Sequence, residues 1–158
     1  MIDIDTSGME SRIHILRRKD RDAKAIQELL YEAERFVATQ LPAFQLEAIF
    51  CALDMRVLSV FLAILRSARG ATKVVWIICG DVPPAMVPSS AKTVGVALEE
   101  YCASMANWVQ RAQLNQPVED VIPVLERQSL QPVEPTPEYA EMLASRINFI
   151  RTRIVPQI

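Results

Sequence analysis

The stretch VLSVFLAILRSARGATKVVWIICGDVPP, from Val57 to Pro84, constrains the fold more than any other part of the chain. Two apolar runs of strand length flank a short polar connection that holds Arg66, Arg69, Gly70 and Lys73. Val, Ile, Phe and Trp dominate the runs, and side chains branched at Cβ suit a pleated surface better than a helix. Gly70 can take a positive φ without strain, as turns between antiparallel strands usually require. The pattern predicts a central antiparallel β-hairpin with strands at about 57–66 and 73–79. An unbroken apolar run has no period that separates strand from buried helix, so for the first run residue type and the adjoining turn decide in favour of strand.

Neither run alternates apolar with polar residues, so both faces of the hairpin need covering. Two strands alone also make a marginal sheet with open edges. Further strands must come from the same chain or from another copy. The other short β-like run is 12–16, where Ile13 and Ile15 alternate with Arg12 and His14. It is the expected third strand, the alternative being a strand from a dimer mate.

Around the hairpin the sequence predicts four helices. Ile26, Leu29, Leu30, Ala33, Phe36 and Val37 recur at the spacing of a one-sided helix, about 20–40. Pro42 is well placed to begin a second, about 42–53, where Leu46, Ile49, Phe50 and Leu53 repeat the stripe. Thr93 can cap a third, about 93–114, whose apolar face runs from Val94 through Leu98, Tyr101, Met105 and Trp108 to Ala112. Thr136 as cap and Pro137 in the first turn open the fourth, about 136–154, with Tyr139, Met142, Leu143, Arg146, Ile147, Ile150 and Ile154 inside. The proline-rich segments DVPPAMVPSS and 116–135 can be neither helix nor central strand. The expected architecture is a single α+β domain over 12–158, preceded by a flexible polar arm, 1–11.

At 158 residues, 51% of them apolar and 23% charged, the chain can bury a core without metal or disulfide support. A net charge of −2 argues against general binding to nucleic acid or acidic membranes, and in RRKDRDAK the acids Asp20 and Asp22 cut the local positive charge. No apolar run approaches the roughly 20 residues of a membrane helix, and the opening lacks the basic start and apolar stretch of a signal peptide. A cytoplasmic protein that binds neither nucleic acid nor membrane is expected. Cys51, Cys79 and Cys102 are odd in number, lie among apolar residues and show no ligand spacing. Buried free thiols are therefore expected, with no metal site and no cofactor.

The loop beyond a strand end commonly carries a site, so Cys79, Asp81, Pro83 and Pro84 are the candidate ligand- or partner-binding residues. The plainer reading is that Asp81, following Gly80, closes a turn by bonding a backbone amide. No catalytic set emerges. His14 is the sole histidine and lies in a basic stretch near the arm; no base stands at a recognisable spacing from any cysteine. Glu99 and Glu100 point about 100° apart on a helix, and four scattered glycines form no phosphate loop. Trp76 and Trp108 are expected to pack together between hairpin and helix.

VVWIICGDVPP, a Trp-bearing strand ending in Gly-Asp-x-Pro, followed by the amphipathic helix ALEEYCASMANWV, resembles a family of small bacterial proteins of uncharacterised function. Members often carry two adjacent aromatics where this chain has Val75 and Trp76, and the likeness covers the middle third of the chain. It implies a helix, hairpin, helix order and brings no activity or ligand with it.

A hairpin greasy on both faces and open at its edges favours a non-enzymatic protein-interaction module that self-associates as a homodimer. A bacterial immunity or secretion-accessory protein that holds a protein partner is one form of that class. The rival is an enzyme or small-ligand binder with its pocket in the 80–90 loop, around Cys79 and Asp81.

Overall fold

The computed structural model of the chain describes residues 3–158. Five antiparallel strands lie in the order β1-β2-β3-β4-β5: Glu10–Ser11, Phe44–Asp54, Leu58–Ser67, Thr72–Gly80 and Ala85–Pro88. Helices α1 (Arg12–Arg17) and α2 (Ala23–Gln40) precede β2; α3 (Val94–Gln113) and α4 (Pro137–Phe149) follow β5. A π-helical turn, Ile150–Ile154, continues α4. The fold is α+β, as expected.

The hairpin is β3 and β4, paired from Leu58 opposite Gly80 to Arg66 opposite Thr72. Gly70 sits in its turn with φ 85°, and the Ser67 hydroxyl accepts from the Ala71 amide at 3.0 Å. Phe61, Ala63, Leu65, Val75, Ile77 and Cys79 pack in one layer with the inner stripe of α2. The intervening Val60, Leu62, Trp76 and Ile78 pack in a second layer with α3 and α4. Both faces of the hairpin are thus covered within one chain.

The third strand is not where the sequence pattern put it. Residues 12–16 belong to α1, capped by the Ser11 hydroxyl on the His14 amide at 3.3 Å. On a helix Ile13 and Ile15 point roughly 200° apart. Accordingly Ile15 is fully buried and Ile13 is 55% exposed. The strand beside β3 is instead β2, built from residues expected as the helix 42–53.

The reason for that error is local. The β2–β3 register shifts between Leu46 and Ala48 and again between Cys51 and Leu53. Each bulge adds one residue, so Leu46 and Ile49 are three apart yet face Leu65 and Ala63 on the same side. Phe50 and Leu53 likewise face Leu62 and Val60 on the other side. A strand broken by two bulges imitates the three-residue spacing of a helix.

The other helices form where expected. Thr93 caps α3 by accepting from the Val96 amide at 3.2 Å, and Thr136 caps α4 from the Tyr139 amide at 3.2 Å, with proline in the first turn. Trp76 and Trp108 are both buried in the α3–α4 layer, where Trp108 meets Tyr139 edge to face at 5.8 Å. The Pro-rich segment after β4 contains the short edge strand β5 and is largely buried. The Trp76 indole donates to the Ala91 carbonyl at 2.8 Å and the Tyr101 hydroxyl to the Pro83 carbonyl at 2.7 Å, pinning this segment down. Of the expected arm, residues 1 and 2 lie outside the described part; Ile4 is buried in the α3–α4 layer and Asp3 pairs with Lys92 at 3.3 Å.

At the far end of the hairpin, Gly80 has φ 123°, and a Cβ placed there would stand 2.7 Å from the Val57 carbonyl oxygen. The Asp81 amide donates to that same oxygen at 2.8 Å. Gly70 has open space around it. Gly80→Ala is expected to destabilise by about 3 kcal/mol or more, strain and backbone clash adding, against about 1 kcal/mol for Gly70→Ala. Urea unfolding of the two variants measures the difference.

Candidate functional site

Strand β4 ends at Gly80, and the chain leaves the sheet there with the Asp81 side chain in solvent. Across from it runs the outer face of α4. Met142, Arg146 and Phe149 are four and three residues apart, so they line up along one side of the helix. The Arg146 guanidinium lies 3.0 Å from an Asp81 carboxylate oxygen. This ion pair separates two hollows. One is lined by polar groups, Glu126, Arg127 and Tyr139, together with Pro83 and Met142. The other, about 270 Å³, is lined by Val57, Leu58, Val82, Phe149, Ile150 and Ile154.

Of the residues singled out from sequence, Asp81 and Pro83 line this cleft. Pro84 is buried beside β5. Cys79 is not part of it: its side chain faces the α2 layer, with Sγ 3.9 Å from the Leu29 carbonyl. Adjacent residues of a strand point to opposite faces, so the sheet itself parts Cys79 from the α4 side.

Sequence reasoning missed Arg146, Arg127, Tyr139 and Phe149 as neighbours of Asp81. One signal was available. An arginine in an otherwise apolar helix stripe needs a carboxylate from elsewhere in the fold; the structure places Arg146 and Met142, both expected inside, on the outer face of α4. Arg127 is committed to α2, donating to both oxygens of Glu32 at 2.9–3.2 Å.

Other titratable groups that sequence singled out lie in surface pairs. His14 on α1 is exposed and 3.8 Å from Glu10. Glu99 lies 3.8 Å from Arg151. Among the described residues no group of three or more His, Cys, Asp or Glu side chains comes together as a metal site. No helix among them is long and apolar enough to cross a membrane.

All three cysteines are free and buried. Burial pushes the Cys51 thiol up to about 12 and Cys102 up to about 11, and raises Cys79 as well. Thiols held protonated at neutral pH are poor nucleophiles. Burial likewise raises Tyr101, whose hydroxyl serves as a donor to the loop.

No protein-family model matches the chain, and no curated protein or solved structure matches it. Its function has to be read from its own geometry.

The thiols carry a pH dependence of known sign. An exposed cysteine in the unfolded chain ionises near its ordinary value of 9.0, before the buried ones do. The thiols' contribution to stability is therefore complete well below pH 9 and is lost as pH rises through 9 toward 12. Urea midpoints between pH 8 and 11 are expected to decline, less steeply in Cys51→Ala. A thiol reagent at pH 8 is expected to leave the native protein unmodified and to label all three cysteines in denaturant.

Proposed function

We propose that the protein is a non-enzymatic interaction module that self-associates through the free edge of β2. The observation that carries this reading is an asymmetry between the two sides of the sheet. On the β5 side, Pro83, Pro84 and Pro88 remove amide donors, and the segment after α3 wraps round. Val124 packs in the α3–α4 layer, whereas Leu125 and Leu130 pack in the α2 layer. On the β2 side, β1 pairs only with Phe50 and Cys51. From Phe44 to Ile49 no strand of the described residues lies beyond β2.

The half-exposed Leu46, Ala48 and Phe50 and the exposed Ile13 flank that edge. A second copy suits it because an antiparallel pairing about a two-fold axis at Leu46 sets Gln45 against Glu47 and Phe44 against Ala48. No like charges then face each other. The bulge at Glu47 bends the strand and keeps the pairing short, so a modest affinity is expected. Three unpaired thiols suit a reducing, cytoplasmic setting.

Sedimentation velocity tests this. The wild type is expected to dimerise with a Kd of roughly 10–100 μM. Leu46→Lys, which sets two lysines face to face at the axis, is expected to stay monomeric with an unchanged circular dichroism spectrum. A wild type that is monomeric at about ten times that concentration sinks the proposal.

A further inference from the structure

The cleft at Asp81 and Arg146 lies at the Val57–Gly80 end of the sheet, away from the free β2 edge at the Phe44–Ser67 end. Its ion pair differs from the two-nitrogen pairs found elsewhere in the molecule, and it is closer than the other arginine pairs that lack a hydrogen bond, Arg56–Asp22 at 3.5 Å and Arg151–Glu99 at 3.8 Å. Arg66, Arg111 and Arg127 each grip a carboxylate through two nitrogens, and so does Arg18 on Asp20. Arg146 comes within 3.0 Å of an Asp81 carboxylate oxygen, yet among the described residues it donates no well-aligned hydrogen bond. A guanidinium carries five donors in a planar fork that fits a carboxylate edge to edge. Most of that capacity is unused here.

Immediately beside the fork is the apolar hollow of about 270 Å³. Two residues of its rim, Val57 and Phe149, are 44% and 46% exposed, which is a cost in water that an apolar ligand would remove. The volume is just below the range of sites for drug-sized ligands, so the occupant is small. The π-helical turn supplies Ile150 and Ile154 as its wall, and such turns recur at binding sites.

We propose that this cleft binds a medium-chain aliphatic carboxylate, its head on the Arg146 fork and its chain among Leu58, Val82, Phe149 and Ile154. The incoming carboxylate takes the place of Asp81, whose side chain is 55% exposed and returns to water at little cost. The fork then holds one monoanion as before, while Asp81 stands nearby in water, and its charge limits the affinity. A doubly charged phosphate head would feel about twice that repulsion from Asp81, and repulsion from Glu126 in the adjoining hollow as well, and is disfavoured. An ammonium head would meet Arg146 and is disfavoured for the opposite reason.

Calorimetric titration with octanoate, below its micelle concentration, tests the assignment. Octanoate is expected to bind, with octylamine, 1-octanol and octyl phosphate at least ten-fold weaker. Arg146→Gln should weaken octanoate at least ten-fold and Arg146→Lys several-fold, since lysine keeps the charge and loses the fork. Asp81→Asn, which removes the competing carboxylate, should tighten it several-fold. Arg146 and Asp81 are both surface side chains, and circular dichroism checks that the variants stay folded. Absence of octanoate binding at millimolar concentration overturns the proposal. So does unchanged affinity in Arg146→Gln, failure of Asp81→Asn to tighten binding, or equal binding of octylamine.

Discussion

Strands β3 and β4 present apolar side chains on both sides, and every other element is placed by the need to cover them. Phe61, Leu65 and Ile77 are satisfied by α2, Leu62, Trp76 and Ile78 by α3 and α4. A sheet that buries both faces is usually parallel, with helices as crossovers. Here the sheet is antiparallel and the helices come from before β2 and after β5. From α1 onward the chain therefore lays down one helical layer, then the main strands β2 to β5, then the helices of the other layer. The segment after α3 returns round the sheet, carrying Leu125 and Leu130 into the α2 layer, and the opening segment crosses too, with Ile4 in the α3–α4 layer.

With the interior satisfied, what remains open lies at the margins. The hairpin's distal end is closed by backbone: Gly80 approaches Val57 so tightly that no side chain fits between them. That approach brings Val57 to the rim of the apolar hollow and turns Asp81 out toward α4. The cleft is thus a consequence of how the hairpin ends. The free length of β2 has a different origin. Ser11 caps α1, so β1 stops after two residues and, among the described residues, leaves the neighbouring edge without a strand.

The two proposed sites differ in chemistry as they differ in place. At β2 the binding groups are backbone amides and carbonyls, which discriminate poorly between partners; the bulge and Glu47 limit what can pair. At the cleft an arginine fork and an aliphatic wall select for head charge and chain together. Neither uses a cysteine or the histidine, since burial keeps the thiols protonated and His14 sits in solvent beside Glu10.

Residue type alone determined the hairpin and its turn at Gly70, the two capped helices beginning at Thr93 and Thr136, the helix ending near Gln40, and the need for cover on both faces. These are local matters, decided by Cβ branching, by φ at one glycine, by capping hydroxyls and by unbroken apolar runs. Asp81 and Pro83 were legible as site candidates because they follow a strand end. What only the tertiary structure decided is which partners these elements meet. Two bulges turned the apparent helix stripe of Leu46, Ile49, Phe50 and Leu53 into β2, and a serine cap turned the alternation at Ile13 and Ile15 into α1. The pleat sent Cys79 away from Asp81, and α4 brought Arg146 to Asp81 across 65 positions of chain. Bulges, and the juxtaposition of distant residues, depend on energies of packing between segments, and no local pattern in the chain encodes them.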